Sequence, residues 1–166
     1  MIIKYYKYFV VENNLYIITE FMNNGDLDEV KKAYKESEKP IEEEKLWKIF
    51  LQCVDALKYI HSQNIIHGDI KLDNLFIDID GTVKIGDFGV ATKFQLGNSI
   101  IKSQQDDIYN MGKEFSTLLN IGGNQNNKYS QDLKDILDKM MIRDLTQLNI
   151  FTLSDVLRDK YLLKYE

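Results

Sequence analysis

Ile66-His67-Gly68-Asp69-Ile70-Lys71-Leu72-Asp73-Asn74-Leu75-Phe76, followed by Lys84-Ile85-Gly86-Asp87-Phe88-Gly89, is the stretch that decides the reading of this chain. The amine of Lys71 lies two residues after the carboxylate of Asp69, and the carboxamide of Asn74 five residues after it. A second carboxylate, Asp87, comes eighteen residues after the first and directly before Phe-Gly. Between them, Leu75–Ile79 and Thr82–Ile85 read as two short strands around Asp80-Gly81, a hairpin turn signal. A hairpin returns the chain to its starting point, so Asn74 and Asp87, which flank its ends, can converge. Such a set suits phosphoryl transfer. The transferring group is highly charged and needs metal ligands, a cation and an oriented nucleophile more than covalent chemistry. Asn74 and Asp87 offer the hard oxygen ligands that Mg²⁺ takes. Asp69 could accept or orient a hydroxyl proton, and Lys71 could neutralise phosphate charge.

Taken singly, each residue has an ordinary structural reading. Asp87 could cap a turn, Lys71 could be solvated, and His61 and His67 could be packed core histidines. The joint spacing carries the chemistry, and the flanking elements support it. Leu46, Ile49, Phe50, Cys53, Val54, Leu57 and Ile60 recur at helical steps, the clearest helix in the sequence, after Glu42-Glu43-Glu44 in a first turn where the macrodipole favours acid. Upstream, Ile3–Val11 and Leu15–Phe21 around Glu12-Asn13-Asn14 read as a β-hairpin. Asp26 is a plausible N-cap for a helix over Leu27–Glu36, which Pro40 separates from the next. Downstream, Ile108, Met111, Phe115, Leu118 and Leu119 form an apolar helix stopped by Gly122-Gly123, and 124–127 is a polar loop. Ser130 caps a helix with Leu133, Ile136, Leu137, Met140 and Met141 on one face. Thr152 to Asp155 resembles a capping box that opens a last helix through Leu157. Hairpin first and helices later predicts an α+β fold.

Composition narrows the classes. The 166 residues carry a net charge of −5, which argues against a general nucleic-acid binder. Cys53 is the only cysteine, so no intrachain disulfide can form; it sits on the apolar helical stripe and reads as core, and a reducing compartment fits. No uninterrupted apolar run approaches the ~18 residues of a membrane helix. The lysine-broken N-terminus lacks the features of a signal peptide.

The block around Asp69 and Asp87 resembles the catalytic loop and metal-binding triplet of eukaryotic-type protein kinases, His-Arg-Asp-x-Lys-x-x-Asn and Asp-Phe-Gly. The resemblance covers nearly the whole chain. The hairpin followed by Thr19-Glu20-Phe21-Met22 looks like the fourth and fifth strands of the N-lobe running into the hinge, with Thr19 at the gatekeeper position. The helix over Leu46–Ile60 looks like the one before the catalytic loop. Asp107-Ile108-Tyr109-Asn110-Met111-Gly112 looks like the buried helix whose Asp braces that loop. Lys71 marks the serine/threonine type, and the motifs look closest to polo-like or NIMA-related kinases.

By this resemblance Asp69 and Lys71 are catalytic, Asn74 and Asp87 hold Mg²⁺, and Glu20, Met22 and Leu75 hold ATP. The implied fold is mostly the helical C-lobe, residues 23–166, with residues 1–22 as a two-stranded N-lobe remnant and hinge, together a partial protein kinase domain. The implied function is phosphoryl transfer from ATP to a protein serine or threonine hydroxyl if an N-lobe completes it. The alternatives are an inactive pseudokinase or interaction module, or a degenerate fragment. A protein substrate or protein partner is expected, with no nucleic acid and no membrane, a cytoplasmic or nuclear setting, and self-association through exposed N-lobe surface.

The chain also departs from the pattern. It has no Gly-x-Gly-x-x-Gly and no Val-Ala-x-Lys, which would lie before residue 3. Gly68 stands where the family has Arg, the residue that normally meets a phosphorylated activation loop. Only 17 residues, Val90 to Asp106, separate Gly89 from Asp107, without Ala-Pro-Glu. Ser99 and Ser103 could be phosphorylated, but Gly68 could not read them. Arg143-Asp144-Leu145-Thr146 lacks the usual proline. The 166 residues alone are therefore expected to be inactive or very weak.

Overall fold

The computed structural model describes residues 1–94, 98–121, 128–142 and 149–165, and only the backbone of residues 98–103, 151 and 162–165. The expected kinase-like α+β arrangement is present: among the described residues there are short two-stranded sheets and five α-helices. Strands β1 (Tyr5–Val11) and β2 (Asn14–Thr19) form an antiparallel hairpin. Its turn is Glu12-Asn13, both at positive φ (47° and 67°), the twist that two-residue hairpin loops favour. Every residue of both strands is exposed.

The hairpin is shorter than its sequence suggests. Ile2 and Ile3 leave it and lie beside a later strand: Ile3 N donates to Ile85 O at 2.9 Å, and Ile85 N to Met1 O at 3.0 Å. Burial explains the departure, since Ile2 packs against the core whereas the hairpin offers none.

Helix α1 (Leu27–Glu36) starts at the expected cap. Asp26 accepts from Glu29 N at 2.8 Å, and the Glu29 side chain reaches back to the Asp26 amide, closing a capping box. Helix α2 (Glu43–Ser62) sends its apolar stripe inward, with Phe50, Cys53, Val54, Ala56 and Leu57 wholly buried. It packs against α5 (Ile150–Tyr165) and against β5 (Val83–Ile85), the second strand of the hairpin begun by β4 (Leu75–Ile77). The phenyl rings of Phe50 and Phe115 meet at 4.7 Å between centroids and join α2 to α3 (Asn98–Leu119). A buried side chain of that size contributes roughly 1.5–3 kcal/mol. Helix α3 lies on α4 (Gln131–Met140), where a Cβ on Gly112 would stand 2.7 Å from Met140 Cβ. The crossing therefore needs glycine there. Strands β3 (Ile65–Ile66) and β6 (Thr92–Lys93) pair antiparallel on either side of the motif block.

Two helices begin earlier than expected. Helix α3 is continuous from Asn98, so most of the segment read as a shortened loop is helix. Helix α5 is not opened by Thr152. Asn149 accepts from Thr152 N at 3.0 Å, and Ile150 and Leu153 are buried in its first turn. Asn caps as well as Thr, and starting there buries Ile150. The helix then runs beyond Leu157 to Tyr165. The glycine stop at 122–123, the loop at 124–127 and the Arg143–Thr146 stretch lie outside the described residues; Ser99 and Ser103 fall where only backbone is described. No described helix is long and apolar enough to cross a membrane.

Candidate active site

The loop carrying Asp69 is held from below by one buried carboxylate. Asp107, on α3, accepts from His67 N at 2.9 Å and Gly68 N at 2.8 Å, and its Oδ2 also lies 2.9 Å from His61 Nε2. Asp107 is fully buried, and a buried carboxylate is tolerable only when donors satisfy it. Gly68 sits at φ +80°, a left-handed conformation that costs a side-chain-bearing residue roughly 1–2 kcal/mol. Space is not the obstacle, since the nearest atoms to an added Cβ are 3.6 Å away. Glycine thus takes the bend without strain.

A turn of 3-10 helix, Leu72–Asn74, follows and swings Asn74 back over the loop. Its Nδ2 donates to Asp69 O at 2.8 Å and to Asp69 Oδ2 at 3.0 Å. Lys71 Nζ lies 2.8 Å from the same Oδ2. Asp69, Lys71 and Asn74 therefore form one cluster, as their spacing suggests. The Lys71 ammonium, helped by the Asn74 amide against a burial penalty, holds the Asp69 carboxyl below its usual range. Asp69 in turn raises Lys71. Both are charged at neutral pH.

The β4–β5 hairpin closes the constellation. Gly86 N donates to Asn74 O at 2.9 Å, which sets Asp87 beside the cluster. Asp87 adopts φ +58°, and its Oδ1 accepts from Gly89 N at 3.2 Å. Aspartate is among the few side chains that take this left-handed conformation at little cost, because its short polar side chain bonds locally. His67 ties the halves together: its Nε2 lies 2.9 Å from Gly86 O, and its ring meets Phe88 edge-on at 4.9 Å. His67 and His61 are both buried and structural, as read from the sequence.

A cleft of about 350 Å³ opens under the hairpin, lined by Thr19, Glu20, Met22, Asp26, Phe76 and Asp87 among others. Glu20 and Met22, which the resemblance assigns to ATP, are part of this lining. Leu75 is not: it is wholly buried in the core, and Phe76 forms the cleft wall. Successive strand side chains point to opposite faces, so only one of the two can line the cleft. Lys84 was also missed. Its Nζ lies 2.6 Å from Glu20 Oε2, and the Glu20 carboxyl is lowered by that contact first and by the Lys4 amide next. The Glu20 side chain is thus committed, and so is its amide, which donates to Lys4 O at 2.9 Å; its carbonyl accepts from Thr19 Oγ1 at 3.2 Å and keeps one lone pair for a ligand.

The residues present fit a nucleotide-bound Mg²⁺. With the Asn74 side-chain amide hydrogens taken by Asp69, its Oδ1 remains, and among the described residues no donor reaches it. Among the described residues no group of three or more carboxylate, imidazole or thiol ligands converges, so no all-protein cage is formed. Asp87 offers one carboxylate and Asn74 Oδ1 one further oxygen, ligands of the kind Mg²⁺ takes beside substrate phosphates.

Comparison with known proteins agrees with this geometry. Residues 1–111 match the model of the protein kinase domain. The mitosis inhibitor protein kinase SWE1 of Candida albicans is 42% identical over 100 residues, covering 56% of this chain and 8% of that protein. The serine/threonine-protein kinase PLK4 of Xenopus laevis is 37% identical over 97 residues, 58% of this chain and 10% of the relative. The putative sperm motility kinase W of Mus musculus is 38% identical over 103 residues, 62% of this chain and 20% of the relative. The matched region thus spans a fifth or less of the length of these relatives. The motif block, its geometry and the family match lead to one conclusion: this chain belongs to the eukaryotic-type protein kinase family.

Proposed function

We propose that this chain carries the catalytic-loop and metal-binding half of a protein serine/threonine kinase, with residues 1–22 as hairpin and hinge and 23–166 as the C-lobe. The observation that carries the reading is the Asp69–Lys71–Asn74 cluster closed by the β4–β5 hairpin against Asp87. Asp69, ionised, accepts or orients the proton of an incoming hydroxyl. Lys71 follows the transferred phosphoryl charge. Asn74 and Asp87 hold Mg²⁺, which when bound with ATP offsets charge on the phosphate oxygens. The Glu20 carbonyl and the Met22 backbone would meet the adenine, with Phe76 as its apolar wall. A protein hydroxyl is the acceptor, and the single buried thiol of Cys53 suits a cytoplasmic setting.

A second reading, an interaction module, draws support from Gly68 in place of the family's Arg and from a hairpin apolar and exposed on both faces. The 166 residues contain no glycine-rich lid and no Val-Ala-x-Lys, so alone they hold the triphosphate weakly, with ATP·Mg affinity weaker than about 1 mM. The test is Mn²⁺·ATP added at millimolar concentration while amide signals are followed by NMR. Paramagnetic broadening at Asn74 and Asp87 that is lost in Asp87→Asn supports the kinase reading. Broadening elsewhere, or unchanged in the variant, removes it.

A further inference from the structure

We infer that the cleft, taken as the nucleotide site proposed above, selects an uncharged adenosine-like ligand over a free triphosphate. Where a purine would lie the walls are apolar, with Ile3, Met22 and Phe76 in the lining. At about 350 Å³ the cleft stands near the lower end of ligand-site volumes, roughly 300–1,000 Å³, and suits a nucleoside.

Its charged lining has one sign. Glu20, Asp26, Glu29 and Asp87 line the cleft, and no lysine or arginine does among the described residues. Neighbouring cations are already committed, Lys84 to Glu20 at 2.6 Å and Lys71 to Asp69 at 2.8 Å. The N-terminus of α1, which could otherwise attract phosphate, is occupied by its own carboxylates. Asp26 accepts from Glu29 N at 2.8 Å, and Glu29 accepts from Asp26 N at 3.4 Å. Lys84 offsets Glu20, but a triphosphate entering the cleft still meets Asp26, Glu29 and Asp87 with no cation in the described lining, whereas adenosine offers the same base and sugar without charge. Repulsion between partly exposed groups is screened by salt, so the preference must shrink as ionic strength rises.

The test is equilibrium binding of adenosine and metal-free ATP to the full chain. Adenosine should bind at least about tenfold more tightly at low salt, a difference of about 1.4 kcal/mol. That ratio should fall when salt is raised from about 0.02 M to about 0.5 M. It should also fall in Glu29→Gln, which keeps a side chain able to close the capping box. ATP binding as tight as adenosine at low salt, or a ratio that ignores salt and Glu29→Gln, overturns the inference and leaves the nucleotide reading standing. Binding of neither ligand overturns the nucleotide reading and the inference with it.

Discussion

Asn74 clamps Asp69 twice, through the main-chain oxygen at 2.8 Å and the carboxylate at 3.0 Å. The proposed metal ligand and the proposed base are therefore one mechanical unit, and Asn74 itself is buried.

From that clamp, Asn74→Ala should cost about 1–3 kcal/mol in urea unfolding, the loss expected when a buried hydrogen-bond partner is removed. Asn74→Asp should cost more, because it sets a second carboxylate against Asp69. Equal, near-zero effects would mean that the clamp does not order the loop.

Asp107→Asn should be at least as damaging. Three donors converge on that carboxylate, and a carboxamide must turn an N–H toward one of them. A loss of about 1–3 kcal/mol per stranded donor is expected, read as a lowered unfolding midpoint at unchanged m-value. Retained stability would show that the loop does not depend on this brace.

The Lys84–Glu20 pair has a pH signature. The Glu20 carboxyl is lowered by Lys84, so its folded value lies below its unfolded one. The stability it contributes is present above the ordinary glutamate range, about 4.3, and is lost as pH falls toward the depressed value. Wild type should be more stable than Glu20→Gln at pH 7, and the gap should close on acidification. A gap that grows at low pH would reverse the assignment.

The hairpin predicts association. Tyr8 pairs with Ile17 and Phe9 stacks on Tyr16 at 5.2 Å, yet all four are exposed. A two-stranded sheet is only marginally stable alone, and its open edges invite pairing. Sedimentation at micromolar concentration should show self-association that weakens in the Tyr8→Glu/Ile17→Glu double variant. A monodisperse wild-type monomer with a cooperative melt would contradict this.

Local signals made much of this legible. Asp26 announced α1, the apolar steps from Leu46 announced α2, and Asp80-Gly81 announced the turn that joins Asn74 to Asp87. Long-range choices were not legible. Nothing between Asn98 and Asp107 breaks a helix, since no Gly or Pro occurs there, yet the apolar steps that mark α3 in the sequence start only at Ile108. Strand alternation says that Leu75 and Phe76 face opposite ways, but not which faces the cleft. The Lys84–Glu20 contact joins residues 64 apart, with no pattern to reveal it. Asn149 competed with Thr152 as a cap, and burial of Ile150 decided between them.

The central claim is that Asp69, Lys71, Asn74 and Asp87 form a phosphoryl-transfer site which these 166 residues alone do not complete. Family enzymes turn over at roughly 1–100 s⁻¹. Each missing preorganised contact, the lid amides and the lysine, costs about 10²–10³ in rate. If the two losses multiply, the rate falls by about 10⁴–10⁶, which coupled residues can alter. The most direct measurement is phosphate transfer from ATP·Mg to a generic serine/threonine protein substrate, by wild type and by Asp69→Asn. The account predicts no detectable transfer from either. Transfer by wild type that Asp69→Asn abolishes would contradict it, showing that the four residues work without the lid and lysine.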